Sequence, residues 1–393
     1  MNYQFAARMS NMPESFIERL FSLSSKPGVI SFAGGLPSAD LLDVSGLKSA
    51  AVSVFEDEGS EALQYTTTDG YLPLREYIAD RYNKRLGLNA SPDEIRIVNG
   101  SQQCLDLIAK IFTDPGDCIG MERPGYLGAI EAFSLYEPEF ATVGLSDDGI
   151  DTVEFEDLIC KKNPAFFYGI PNFQNPSGRT YSQETRKKTG EILEGSSTVF
   201  YEDDAFGELA FDRKPRIPVK AFAGENGIMS GSFSKIIAPG MRIGWIYAPA
   251  EIISQFDSAK QAADLHSNFL CQKIMARYLR DNDLDSHIRK ITSVYSARCR
   301  VMLDIMDDLF MDRLTHTNPE GGMFMLAGLP AGISSLTLFE RALAENVAVL
   351  PGVPFYAGSG GLDNIRFNFS NADEEMIKTG MERLDAALRS LGV

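Results

Sequence analysis

Gly227-Ile228-Met229-Ser230-Gly231-Ser232-Phe233-Ser234-Lys235 reads as a short apolar strand that closes on small hydroxyl residues and a lysine. It is one of a series. β-rich runs at 94–98, 118–122, 140–145, 165–170, 198–202, 227–232 and 242–248 alternate with amphipathic segments such as 103–112 and 183–193. Strands apolar on both faces and separated by helical stretches predict a mostly parallel, doubly wound α/β sheet covered on both sides.

Outward from that block the rhythm changes. Residues 251 to about 310 are helical in pattern and contain no proline. Beyond them a strand at 321–326, a helix at 337–346, a strand at 364–370 and a helix at 372–391 predict a smaller α+β C-terminal domain. The text before Gly46 predicts no sheet of its own and is expected to pack as an arm. The division expected is 1–48 for the arm and a small-domain segment, 49–285 for the large domain and 286–393 for the small one.

The 393 residues carry 37 Lys+Arg against 54 Asp+Glu, a net charge of −17. Such a surface repels phosphate backbones and anionic lipid, so the expected partners are small molecules or a second copy, with no nucleic acid and no membrane. No apolar run reaches a membrane span, and the first residues carry no secretory pattern. Cys104, Cys118, Cys160, Cys271 and Cys299 are scattered without disulfide or metal-ligand spacing, which suits a reducing cytoplasm. His266, His287 and His316 do not pair at ligand spacing, so no metal is expected.

Five places carry candidate chemistry. Lys235, desolvated at a strand end, would have a depressed pKa and a free amine able to form a Schiff base. Ser232 and Ser234 with Arg242 would make a compact anion site beside it. Gly100-Ser101-Gln102 opens a helix at a strand's carboxyl end and offers free N–H groups and a helix dipole to a phosphate. Asp203, within Glu202-Asp203-Asp204, needs a cationic partner if buried, and a protonated pyridine nitrogen would serve. Asn175 sits in the turn Gln174-Asn175-Pro176-Ser177-Gly178, and Arg366 shares one strand face with Asn368 and Ser370, which suits a bidentate carboxylate. Taken singly, each has a plain alternative: a loop lysine, an N-cap serine, a capping acid, a turn, a structural ion pair.

Their order along the chain is specific. With Ile30-Ser31-Phe32-Ala33-Gly34-Gly35-Leu36-Pro37, Leu63-Gln64-Tyr65 and Glu122-Arg123-Pro124-Gly125-Tyr126, the set resembles the fold-type-I pyridoxal-phosphate aminotransferases, in the branch of aminoadipate and kynurenine aminotransferases and MocR-type effector domains. The resemblance runs from about residue 8 to 390. It implies pyridoxal 5'-phosphate as cofactor and amino-group transfer between an α-amino acid and a 2-oxo acid. It further implies that Lys235 carries the cofactor and shuttles the Cα proton, and that Asp203 pairs with the pyridinium. Tyr126 is implied to stack on the ring and Asn175 to donate to its phenolate oxygen. Ser101, Gln102, Ser232 and Arg242 are implied to hold the phosphate, and Arg366 the α-carboxylate with Gly35 close by. Tyr65 is implied to reach the neighbouring subunit's cofactor, so a homodimer with shared sites is expected.

Three departures from that pattern stand out. Phe206 occupies a place where relatives have tyrosine, which removes one donor to the phenolate oxygen. In Ile17-Glu18-Arg19-Leu20 the Arg-Glu order of aminoadipate-type relatives is inverted, which argues against a dicarboxylic preference, although either Glu18 or Arg19 can face the pocket. Leu326 replaces an aromatic and is expected to reshape the side-chain pocket. Other outcomes on the same scaffold are a β-lyase, a decarboxylase or a racemase, since the same starting complex serves all of them. A cofactor-sensing regulator domain is the remaining class, disfavoured by the charge and by aminotransferase-like text starting within the first ten residues.

Overall fold

The computed structural model describes residues 3–10 and 28–393. Its centre is an eight-stranded sheet in the spatial order Ile95–Val98, Gly244–Tyr247, Gly227–Ser232, Val199–Asp204, Phe166–Gly169, Cys118–Arg123, Glu139–Ser146 and Gly149–Ile150. The four pairings from Gly227–Ser232 through Glu139–Ser146 are parallel. Gly227–Ser232 and Phe166–Gly169 are buried along their whole length, as expected of strands covered on both faces.

Gly244–Tyr247 runs antiparallel to both its neighbours, and Gly149–Ile150 is antiparallel at the far edge. The first reversal follows from the connection: residues 233–243 hold only turns and the short 3-10 segment Pro239–Met241, and no crossover helix to return the chain to the other end. Gly231 allows this hairpin-like return, because a Cβ there would run into the Trp245 indole.

The helical tract after residue 249 resolves into Ala250–Asp264, Phe269–Asp281 and Leu284–Ile305. The C-terminal part holds a four-stranded antiparallel sheet, Thr315–His316, Phe324–Gly328, Asn364–Asn368 and Leu350–Pro351, packed with the helices Ser335–Ala344 and Glu374–Ser390. Ile30–Ser31 pairs in parallel with Val347–Ala348, so the N-terminal segment does join a sheet, by two residues. Phe32 continues this thread: its N–H donates to Ala348 O and its carbonyl accepts from Asn368 N, both at 2.8 Å. Among the described residues no helix is long and apolar enough to cross a membrane.

Candidate active site

Parallel strands deliver their carboxyl ends to one edge, and the chain leaves each of them carrying a functional side chain. Asp203 is paired in register with Ser230, Lys235 lies just beyond Ser232, Asn175 follows Phe166–Gly169, and Tyr126 follows Cys118–Arg123. Arg242 reaches the same edge because Gly244–Tyr247 begins there, and Ser101 because Ile95–Val98 ends there. Gly244 permits the last approach: a Cβ there would lie 2.7 Å from Ser101 N.

The result is a cavity of about 370 Å³, within the usual range for small-molecule sites. Gly35, Ser101, Gln102, Tyr126, Asn175, Asp203, Ser232, Lys235, Arg242 and Arg366 all line it. Tyr65 does not; it is 78% exposed, with its ring edge against His266 at 5.7 Å. Leu326 does not line the cavity either, contrary to expectation. It lies further along its strand, tied to Thr317, and Phe324 is the residue that fills the wall. Phe206 does line it, with its ring edge-on to Phe324. Glu18 and Arg19 lie outside the described residues.

Three charged groups face this cavity, Asp203 and Arg366 buried and Lys235 half-buried, and among the described residues none has an ion-pair partner. Lys235 Nζ donates to Gly35 O at 2.8 Å, and burial, with Arg366 and Arg242 nearby, pushes its pKa down to about 8. A free amine is therefore accessible near neutral pH. The Asp203 carboxylate accepts from Tyr168 OH at 2.8 Å and Ser230 Oγ at 3.1 Å, and burial raises it to about 6. Arg366 donates to Asn175 Oδ1 at 2.8 Å and Ala33 O at 2.5 Å, lies over the Phe324 ring at 4.2 Å, and keeps Nε without a partner. Desolvation lowers its pKa to about 9.

These demands match a pyridoxal phosphate with its substrate. Asp203 lacks the cation that a protonated pyridine supplies, and Lys235 is poised for an aldehyde. Toward the described residues, Arg366 has three of its five N–H groups uncommitted, enough for a carboxylate. Because Asn175 Oδ1 is taken by Arg366, its Nδ2 is left to donate. Gly100 (φ +75°) leads into Ser101–Phe112, whose N-cap makes no side-chain bond, so the N–H groups of Ser101 and Gln102 are available to an anion, while that of Gln103 donates to Gly100 O. Ser232 Oγ accepts from Ser234 N at 3.1 Å beside them.

Of the groups behind this wall, Glu122 and Gln174 fall within the quoted motifs without a role being read for them, and Tyr168, Ser230 and Tyr181 carry no signal in the sequence. Tyr168 and Ser230 fix Asp203, and only the strand register brings them there. Glu122, buried and raised to about 7, accepts from Tyr181 OH, Gln174 Nε2 and Ile170 N. Gln174 also donates to Pro124 O, so one amide ties the Asn175 turn to the turn before Tyr126.

A half-buried lysine, a buried acid and a helix start open to an anion, all on one sheet edge, are what a pyridoxal-phosphate-dependent enzyme requires. Residues 29–384 match the model of the aminotransferase class I and II family, and the chain belongs to that family. It is 38% identical to aromatic-amino-acid aminotransferase 1 of Thermococcus litoralis, over 98% of this chain and 94% of that one. The solved α-aminoadipate aminotransferase of Thermus thermophilus, complexed with N-(5'-phosphopyridoxyl)-L-leucine, is 36% identical with a TM-score of 0.92, covering 98% of this chain and 97% of that one. The kynurenine aminotransferase of Pyrococcus horikoshii superposes with a TM-score of 0.94 at 36% identity and the same coverage. The chain is thus a pyridoxal-phosphate-dependent aminotransferase, moving an amino group between an α-amino acid and a 2-oxo acid.

Proposed function

We propose that the preferred amino donor is an α-amino acid with a large apolar side chain, aromatic or branched. The carrying observation is the make-up of the cavity wall. Its cations are Lys235, Arg242 and Arg366, and its large apolar side chains are Leu36, Leu127, Ile170, Phe206, Phe324 and Leu350. With the lysine on the cofactor, Arg242 on its phosphate and Arg366 on the α-carboxylate, no described cation in the wall remains for a distal carboxylate, which would be buried unpaired at high cost.

In this reading, bound pyridoxal phosphate supplies an aldehyde that takes up the amino group and a ring that takes up the electrons released at the substrate Cα. Lys235 Nζ removes the Cα proton and returns it at the cofactor's aldehyde carbon. Asp203 holds the ring-nitrogen proton, Tyr126 covers the ring face, and Asn175 Nδ2 donates to the phenolic oxygen. Ser101, the Gln102 N–H, Ser232 and Arg242 bind the phosphate. Arg366 fixes the α-carboxylate, with Gly35 closing on the other side.

The site belongs, on this account, to a homodimer, with Tyr65 reaching the partner's cofactor. Exposed Phe55, Leu63, Tyr65 and Leu265 support a buried contact surface there. Residues 1–48, 49–285 and 286–393 serve as arm with small-domain segment, large domain and small domain, a division supported by the pairing of Ile30–Ser31 with Val347–Ala348. Five free thiols suit a cytoplasmic setting.

Steady-state rates over a panel of donors test the substrate reading. Leucine or phenylalanine should exceed 2-aminoadipate in kcat/KM by at least about tenfold, the cost of leaving one charged group poorly paired. Equal or better use of 2-aminoadipate would sink it.

A further inference from the structure

The pair Lys260–Asp264 lies behind the phosphate end of the cavity and lines none of it. Lys260 is fully buried and its Nζ donates to both Asp264 oxygens, at 2.8 and 2.9 Å, and to Ser267 Oγ at 3.1 Å. A charged pair within one helix, at i and i+4, needs nothing more than this to be a local stabiliser. This one has more. Asp264 Oδ2 also accepts from Asn99 Nδ2 at 2.7 Å and from Gln103 Nε2 at 2.8 Å. Gln103 in turn accepts the Asn99 N–H through Oε1 at 2.9 Å. Ser267 Oγ donates to Ile97 O at 3.1 Å, which clamps the strand that leads into the same turn.

These contacts converge on Asn99, the residue before Gly100. The backbone of Asn99-Gly100 has to leave the strand, pass through positive φ at Gly100 and start a helix so that the N–H groups of Ser101 and Gln102 face the cavity. Nothing in the local sequence forces that path: Gly100 is the most permissive residue available, and the N-cap makes no side-chain bond. The Asn99 carbonyl is also the seat of Arg242, whose Nη2 donates to it at 3.3 Å. The helix start and one of the guanidinium's two backbone anchors therefore share one peptide unit, the other anchor being Pro239 O, which accepts from Nη1 at 3.3 Å.

We propose that Asp264, charged and held by Lys260, is a positioning residue for the cofactor phosphate: it fixes Asn99 and Gln103, and through them the N–H groups of Ser101 and Gln102 and the seat of Arg242. It touches no ligand. The inference rests on the reading of Ser101, Gln102 and Arg242 as the phosphate site, and predicts a loss of affinity confined to ligands that carry a phosphate.

The test uses the full-length protein stripped of cofactor. Pyridoxal phosphate and pyridoxal are titrated separately, with quenching of Trp245, the one tryptophan of the chain, as readout. Asp264→Asn should weaken pyridoxal phosphate about tenfold or more and leave pyridoxal within about twofold, since it removes the shared acceptor that holds Asn99 Nδ2 and Gln103 Nε2 behind the phosphate and alters nothing around the ring. Gln103→Ala is the milder variant, expected to give the same selective loss at several-fold should Asp264→Asn fail to fold. Arg242→Met is the control for the underlying reading and should also lose phosphate selectivity. If Arg242→Met loses it and neither of the other two does, the positioning role is wrong while the phosphate site stands. If Arg242→Met keeps full selectivity, the phosphate site itself is misassigned. Equal losses for both ligands in Asp264→Asn and Gln103→Ala would reduce the pair to a scaffold contact and overturn the proposal.

Discussion

The two walls of the cavity are built by different means. The cofactor wall hangs from strand ends of the large sheet, and its polar groups are held by other buried polar groups: Asp203 by Tyr168 and Ser230, the Asn175 turn by Gln174 and Glu122. The substrate wall is made of the 33–36 loop, Phe324 and Leu350 of the small sheet, and Phe206, which are mostly apolar. A polar group buried without its partners costs more than a displaced methyl group, so the first wall tolerates little change and the second tolerates a good deal. Reaction type belongs to the first wall and side-chain preference to the second. Arg366 bridges them, since it bonds Asn175 on one side and Ala33 on the other.

If that division is right, damage to the first wall removes turnover for every donor alike. Lys235→Ala should lower kcat by about 10³- to 10⁴-fold, the worth of a positioned proton carrier, and do so equally for leucine and 2-aminoadipate in stopped assays. A variant retaining a tenth of the activity would break the comparison at its strongest point. Arg366→Leu should cost about 10²-fold in kcat/KM, again uniformly across donors, because every donor brings the same α-carboxylate. A loss confined to one class of side chain would move Arg366 from the bridge to the specificity wall. Phe206→Tyr sharpens the boundary. A hydroxyl there would donate to the phenolic oxygen, and the absorbance pH midpoint of the loaded enzyme should fall by about one unit. No shift, or a rise, would place Phe206 wholly on the substrate side.

Much of the first wall is legible in the sequence. Ser101, Asn175, Asp203, Ser232 and Lys235 each stand at or just past a strand's carboxyl end, and a parallel sheet has only one edge to which those ends can go, whereas Arg242 stands just before a strand and reaches that edge because the strand runs antiparallel. Tyr126 and Gly35 carry little signal alone and stand out only through the ordered motifs. What holds these groups is hidden, because the pairing of Ser230 with Asp203 is a matter of register between strands, not of spacing along the chain. The antiparallel Gly244–Tyr247 is hidden for the same reason. The second wall is less legible. Leu326 points to the right strand and the wrong position, since Phe324 is the residue at the cavity. Apolar residues that line a pocket and apolar residues that fill a core have the same periodicity, so no pattern separates them.

The cofactor wall performs amino transfer and not another reaction of the same cofactor. The direct measurement is the absorbance spectrum of the loaded protein mixed with leucine in the absence of any oxo acid. Amino transfer predicts that the visible band of the resting enzyme gives way to the near-ultraviolet band of the amine form of the cofactor, with one equivalent of 4-methyl-2-oxopentanoate released per site and no ammonia or carbon dioxide. Persistence of the visible band across the whole donor panel, or its decay with ammonia or carbon dioxide, would contradict it.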